Sequence, residues 1–144
     1  MAADRAEHVA TVLEPALARG RWVVSDRFTA STIAYQGYGR GLGIDELERV
    51  TAFAARGVEV DLQILLDVPV EIARSRMDPS RADRLEHLGN DFFELVRGGY
   101  LTMARDDSSH WAVLDGTRES SDIAEEILDV VTTRLGVPPA GARV

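Results

Sequence analysis

The sequence predicts an α/β fold with a parallel sheet, and three observations carry that prediction. Segments of helical and strand character alternate in the order helix, strand, helix, strand, helix, helix, strand, helix. The stretch DLQILLDV at 61–68 is apolar on both faces in its middle, as a parallel strand covered from both sides must be. Glycine and proline stand at the joins, where the chain has to turn.

Residues 3–19 read as a helix, because Ala6, Val9, Ala10, Leu13 and Leu17 recur near helical spacing. Gly20 ends it and Pro15 predicts a kink. Residues 21–26 read as a short strand and 29–36 as helical, followed by a loop built on Gly37, Gly39, Gly41 and Gly43. Asp45 with Glu48 predicts a capping-box start to the next helix. Its apolar stripe is Leu47, Val50, Phe53 and Ala54, and Gly57 closes it. After the strand at 61–68, Pro69 suits the first turn of a helix through Met77. Residues 74–89 are polar and broken by Pro79 and Gly89, and read as a mobile loop. Asn90 is expected to cap a helix through Arg105, with Phe92, Phe93, Val96, Tyr100 and Met103 inward. The third strand is 110–116. Ile123, Ile127, Val131 and Leu135 stripe the last helix up to Gly136, and 137–144 reads as a flexible tail. Trp22 and Trp111 each open a strand and are expected to anchor the core. No repeat or second domain is evident. Three strands are few beside the usual five or six or so, and the chain reads as one that starts late.

Composition narrows the chemistry. At 144 residues and 45% apolar content, one ordinary domain with a real core is expected. The net charge of −8 argues against binding a nucleic-acid polymer. No apolar run is long enough for a membrane span, and MAADRAEHVA lacks the apolar core of a secretory leader. A cytoplasmic address is the expectation. There is no cysteine, which excludes disulfides, thiol nucleophiles and sulfur-based zinc sites. All sixteen basic residues are arginine. Without lysine there is no Schiff base and no Walker A loop, which needs lysine to reach the β- and γ-phosphates. His8, His87 and His110 show no metal spacing, and Ser25 and Ser31 lack the G-x-S-x-G setting of a hydrolase.

Asp26 and Arg27 stand at the carboxyl end of the first expected strand, where open α/β sheets bind ligands. If the next residues are helical, Arg27, Ser31 and Tyr35 share one face, and Thr32 and Gln36 its neighbour. A guanidinium suits phosphate, a phenol a flat ring, and an amide a base edge. The same residues also suit a solvated Arg–Asp pair ahead of a helix N-terminus. The glycines of QGYGRGLG follow a helical segment, so neither the Rossmann nor the Walker context applies.

The run DRFTASTIAYQGYGRGL resembles the D-R-[YFH]-x-x-S-x-x-A-Y-Q-G-x-G-R-G signature of bacterial thymidylate kinases. The opening AADRAEHV, then LLDVPVEIARSR, DRLE and FFELVRGGYL, resemble other segments of that family in the same order, from residue 1 to about 135. The resemblance implies a partial P-loop NTPase fold of the nucleoside monophosphate kinase type. That fold is a three-layer α/β/α sandwich with a parallel sheet, here with its first strands missing. Residues 1–136 would be the core fragment, with a lid at about 74–89. The implied reaction is transfer of the γ-phosphoryl of magnesium-bound ATP to dTMP. Arg5 and Arg27 would grip the acceptor phosphate, with Asp26 orienting Arg27 or its neighbours. Thr32 and Gln36 would approach the thymine, Tyr35 the deoxyribose, and Ser31 would support the helix start. Arg84, then Arg81, would meet the transferring phosphoryl group. Arg76, and equally Arg74, could either reach ATP or be solvated, and Glu86 could brace the lid. Asp115, Thr117 and Arg118 would sit near adenine. Magnesium would come with ATP, and a homodimer is implied, with the helix at 45–56 a possible contributor to its interface.

Several features depart from that family. Its first strand, Walker A loop and second strand have no counterpart here, and Met1 stands where an aromatic residue is frequent. The expectation is therefore the carboxy-terminal two-thirds of a thymidylate kinase, from a truncated gene model and without kinase activity alone. Losing the central first strand should leave the backbone groups of 22–26 and 61–68 without partners. The alternatives are another nucleoside or nucleoside monophosphate kinase, and a non-catalytic nucleotide-binding module.

Overall fold

The computed structural model describes residues 2–76 and 89–136. Arg81, Arg84 and Glu86 of the expected lid, and the tail at 137–144, lie outside the described residues. The chain divides into two compact units, Met1–Glu59 and Val60–Val144.

The first unit opens with α1 (Ala2–His8), a π-helical turn (Val9–Leu13) and α2 (Glu14–Leu17). Val9 and Leu13 turn inward and are buried. The irregularity expected at Pro15 takes the form of that wide turn. Proline has no N–H to return to the carbonyl four residues back, and the ladder loosens just ahead of it.

Residues 21–25 are extended, but they pair with no strand among the described residues. This corrects the expected first strand. Trp22 is 62% exposed and Val24 97%, so Trp22 is not a core anchor. A strand exists only through its ladder, and with no neighbour on either edge neither the backbone nor the apolar side chains have anything to pack on.

The helix α3 (Thr29–Thr32) continues as a second π-helical turn (Ile33–Tyr38). Gly37 belongs to that turn and not to the expected loop. It is buried, and a Cβ there would lie 3.3 Å from Ile44 Cγ1. The loop proper is tight, with Gly41 at φ 70°. Next comes α4 (Ile44–Ala55), whose N-cap is Gly43 with no side-chain cap, so the capping box is not formed. Asp45 and Glu46 instead favour the first turn through the helix dipole.

The expected stripe of α4 is corrected in part, since Ala54 is buried as expected and Leu47 half-buried. Thr51, Ala54 and Ala55 are buried, whereas Val50 is 49% and Phe53 85% exposed. Small side chains face inward and let the helix approach closely, and Thr51 Oγ1 donates to the Glu48 carbonyl, which makes its burial tolerable. Phe53→Ser should therefore change the unfolding free energy by no more than about 0.5 kcal/mol in urea titration.

In the second unit β1 (Gln63–Asp67) pairs in parallel with β2 (Trp111–Asp115), in register from Gln63 opposite Trp111 to Asp67 opposite Asp115. The described sheet thus has two strands where three were expected. Between them lie α5 (Val70–Ser75), which follows Pro69, and α6 (Asn90–Asp106), capped by Gly89. The last helix is α7 (Ser120–Leu135), closed by Gly136 at φ 66°. Trp111 is buried, edge-on to Tyr100 at 6.4 Å between ring centroids. Arg134 Nη1 donates to the Trp111 carbonyl at 2.6 Å and ties α7 to the strand. No helix among the described residues is long and apolar enough to cross a membrane.

Just past β2 the chain turns at Gly116, whose N–H donates to the Asp67 carbonyl at 2.9 Å. A Cβ there would sit 2.6 Å from Val68 Cγ2 and 3.2 Å from that carbonyl. Gly116→Ala should destabilise the unit by about 1–3 kcal/mol through overpacking, read as a lower urea midpoint.

Candidate functional site

In the first unit the candidate groups gather around one backbone feature. Arg27 has φ 68°, the left-handed region that costs a residue with a side chain about 1–2 kcal/mol. Its neighbours hold it there. Ser25 Oγ donates to the Arg27 carbonyl at 3.0 Å, and Arg5 Nη2 donates to the next carbonyl, that of Phe28, at 3.0 Å. The Arg27 guanidinium lies 5.2 Å from the Tyr35 ring centroid. Asp26 is exposed beside it.

Arg5 and Thr32 meet directly, the guanidinium Nη2 donating to Thr32 Oγ1 at 2.9 Å, while the same guanidinium lies 5.6 Å from the Phe28 ring centroid. Partial burial lowers the pKa of Arg5, which an arginine tolerates without losing its charge. Thr32 is buried and Ser31 half-buried on α3. One turn beyond Thr32, Gln36 Oε1 is buried with no hydrogen-bond partner among the described residues. A buried acceptor left so costs about 1–3 kcal/mol and suits an incoming donor.

In the second unit a cavity of about 420 Å³ opens at the carboxyl ends of β1 and β2. Asp67 and Pro69 line it on one side, Asp115 and Thr117 on the other, with Arg97 reaching over from α6. Arg97 Nε meets Asp67 Oδ1 at 2.6 Å and Nη2 meets Oδ2 at 2.8 Å, a two-pronged pair. The Arg97 hydrogen bonds hold the Asp67 carboxyl below its ordinary pKa, and Asp67 in turn raises that of Arg97. Sequence reading missed this pair. Its one signal was Asp67 at the end of a parallel strand, opposite a lone arginine between Val96 and two glycines.

The expected adenine-side residues are ordered by the same turn. Asp115 Oδ1 accepts from Thr117 Oγ1 at 2.6 Å and Thr117 N at 2.9 Å, and those bonds lower its pKa. Arg76 donates to the carbonyls of Gly116 at 2.7 Å and Thr117 at 3.0 Å, so it braces this turn. Arg118 pairs with Glu126 and, more loosely, with Asp122 on α7. Arg74 Nη1 donates to Asn90 Oδ1 at 3.0 Å, with the guanidinium over the Phe93 ring.

The second unit thus has a small parallel sheet with carboxylates, a hydroxyl and a cavity at its carboxyl edge, the edge at which open α/β sheets take ligands. Comparison with known proteins is specific. The profile described as "Thymidylate kinase" matches residues 1–127. The thymidylate kinase of Desulforudis audaxviator (strain MP104C) is 50% identical over 126 residues, which cover 88% of this chain and 57% of that protein. That of Cupriavidus necator (strain ATCC 17699) is 44% identical over 134 residues, covering 92% and 66%, and that of Methylobacillus flagellatus 42% over 132, covering 91% and 65%. The chain belongs to the thymidylate kinase family. It spans between 57% and 66% of the length of these three relatives.

Proposed function

We propose that the chain is the acceptor-holding part of an enzyme that moves the γ-phosphoryl group of ATP to dTMP, giving dTDP. In this reading it is the carboxy-terminal two-thirds of that enzyme. The absence of lysine, and so of any G-x-x-x-x-G-K-[ST] run in these 144 residues, supports a donor-phosphate cradle supplied from outside them. The unpaired extended segment at 21–25 supports a sheet that is wider in the whole protein.

The observation that carries the acceptor assignment is the unpartnered, buried Gln36 Oε1 one turn from Thr32. An amide oxygen there accepts the ring N–H that thymine has at N3 and cytosine lacks. Thr32, held by Arg5, approaches the thymine with Gln36, and Tyr35 faces the deoxyribose. Arg27 and Arg5 grip the acceptor phosphate, with Asp26 orienting Arg27 or its neighbours. Ser31 supports the start of α3. Arg84 and Arg81 stabilise the transferring phosphoryl group from a lid, and Asp115, Thr117 and Arg118 form the adenine-side turn that Arg76 braces. Magnesium would come with ATP, carried by its phosphates. A cytoplasmic homodimer belongs to the same reading.

Two measurements test it. In a thermal-shift series with dTMP, dCMP, AMP and thymidine, dTMP should raise the midpoint most, since ligand that binds only the folded state stabilises by mass action. Equal shifts for dCMP and dTMP would remove the Gln36 argument. Purified 1–144 with ATP, magnesium and dTMP should form no dTDP, and robust turnover would contradict the missing cradle.

A further inference from the structure

Three observations converge on Gln36 and Gly37. Gly37 is buried where the π-helical turn meets α4, and a Cβ there would lie 3.3 Å from Ile44 Cγ1 and 3.4 Å from Leu47 Cδ1. That is tighter than side-chain carbons ordinarily pack, so α4 comes this near only because position 37 has no side chain. The backbone is tied as well. Leu42 N–H donates to the Gln36 carbonyl at 3.0 Å, and Gly41 N–H donates to the Gly37 carbonyl at 2.7 Å. The loop after the turn folds back and holds both residues from the other end. The third observation is the group that this backbone carries, Gln36 Oε1, buried with no hydrogen-bond partner among the described residues. Buried acceptors are otherwise almost always satisfied, so one left open is a place where a fixed backbone matters.

We propose that Gly37 is the positioning residue for Gln36, and through it sets the preference for a pyrimidine ring that carries N–H at position 3. The proposal rests on the acceptor reading above and deepens it. Gly37 touches no ligand. It acts by lacking a side chain, which seats the π-helical turn on Ile44 and Leu47 and so fixes where the Cα–Cβ bond of the preceding residue points. A methyl group at 37 forces the turn and α4 apart by a few tenths of an ångström. Hydrogen bonds weaken steeply with distance and angle, and the displacement is carried out along the Gln36 side chain to its amide. The arginines assigned to the phosphate stand elsewhere, on α1 and in the loop at 25–28, and keep their places. The signature is therefore lost selectivity with general affinity retained.

The test is calorimetric titration of dTMP and of dCMP into the whole 144-residue chain. Gly37→Ala should weaken dTMP by about three- to tenfold, the scale of one neutral hydrogen bond, and leave dCMP unchanged. Ile44→Ala opens the seat from the other side and should lower the dTMP preference in the same direction. The double variant Gly37→Ala/Ile44→Ala, in which the added methyl fills the space that Ile44 Cγ1 vacates, should regain most of it. In a Gln36→Ala background, Gly37→Ala should cost no further selectivity. A ligand-free NMR readout runs beside these titrations. The Gln36 side-chain amide resonances should move in Gly37→Ala and return towards wild type in the double variant. Should Gly37→Ala fail to fold, Ile44→Ala carries the titrations and the NMR comparison.

Equal weakening of dTMP and dCMP in Gly37→Ala would overturn the proposal, because the glycine would then serve only the general fold. So would an unchanged dTMP preference in both single variants, or a further loss of selectivity on top of Gln36→Ala. If wild type does not prefer dTMP to dCMP, the reading of Gln36 as the base acceptor fails and takes the proposed selectivity with it. The Gln36 amide resonances still decide separately whether Gly37 holds that side chain, and resonances indifferent to Gly37→Ala would mean that it does not.

Discussion

Asp67→Ala should destabilise the second unit by about 1–2 kcal/mol, seen as a lower urea midpoint. Both partners of the Asp67–Arg97 pair are partly sheltered, with side-chain exposures of 23% and 31%, so it is not a freely solvated ion pair. Truncation removes two charge-assisted hydrogen bonds and leaves a guanidinium beside the cavity without its carboxylate. Glu94 Oε2, at 3.8 Å from Arg97 Nη1, compensates weakly. Arg97→Leu should be destabilising for a second reason. Asp67 stands opposite Asp115 in the parallel register, and that charge already works to raise the Asp67 pKa.

The same pair gives a pH signature. The folded pKa of Asp67 lies below its ordinary value near 3.8, chiefly because of the Arg97 hydrogen bonds. Its contribution to stability is therefore complete above that ordinary value and is lost as pH falls through the lower folded value. Wild type should lose stability in that acid window more steeply than Arg97→Leu, which urea titrations at matched pH values would show. A variant with the same acid slope as wild type would mean that the pair contributes nothing.

Arg27→Gln should weaken dTMP binding by roughly 10- to 100-fold, the range expected for hydrogen bonds to a charged group, and leave thymidine where it was. Arg27→Gly separates the guanidinium from the backbone. Glycine accepts φ 68° without strain but gives up more freedom on folding, two effects of about 1 kcal/mol each and of opposite sign. Its stability should thus be near that of wild type while its dTMP affinity falls as far as that of Arg27→Gln. Loss of affinity accompanied by unfolding in both variants would point to a structural arginine.

Much of the fold was legible because it is written in local pattern. The strand β1, the helix α7 and its terminal glycine depend on neighbours a few residues away, and each appears where the sequence puts it, although β1 is not covered on both faces among the described residues, Leu66 being 45% exposed. The segment at 21–26 has the same local pattern as a strand, yet strand formation depends on a partner that no local pattern encodes. On α4, hydrophobicity pointed to Val50 and Phe53 as well as Ala54, while close packing chose Ala54 with Thr51 and Ala55. Gly37 looked like a loop residue, and its role comes from the approach of Ile44.

The candidate site divides in the same way. The presence of Arg27, Thr32, Tyr35 and Gln36 was legible from their types and spacing, and that of Arg5 only through the family resemblance. Their partnerships were not. That Arg5 is bonded to Thr32 and to the Phe28 carbonyl, that Arg27 is strained, and that Gln36 keeps an unpaired oxygen are facts of three-dimensional placement. The Asp67–Arg97 pair joins residues thirty positions apart, beyond the reach of any motif.

The most direct measurement is calorimetric titration of dTMP and of thymidine into the wild-type chain at low ionic strength. Saturable binding with dTMP at least about tenfold tighter than thymidine, and weakened by added salt, is the predicted result. Equal affinities for the two, or no binding of either, would contradict the assignment of Arg27 to an acceptor phosphate.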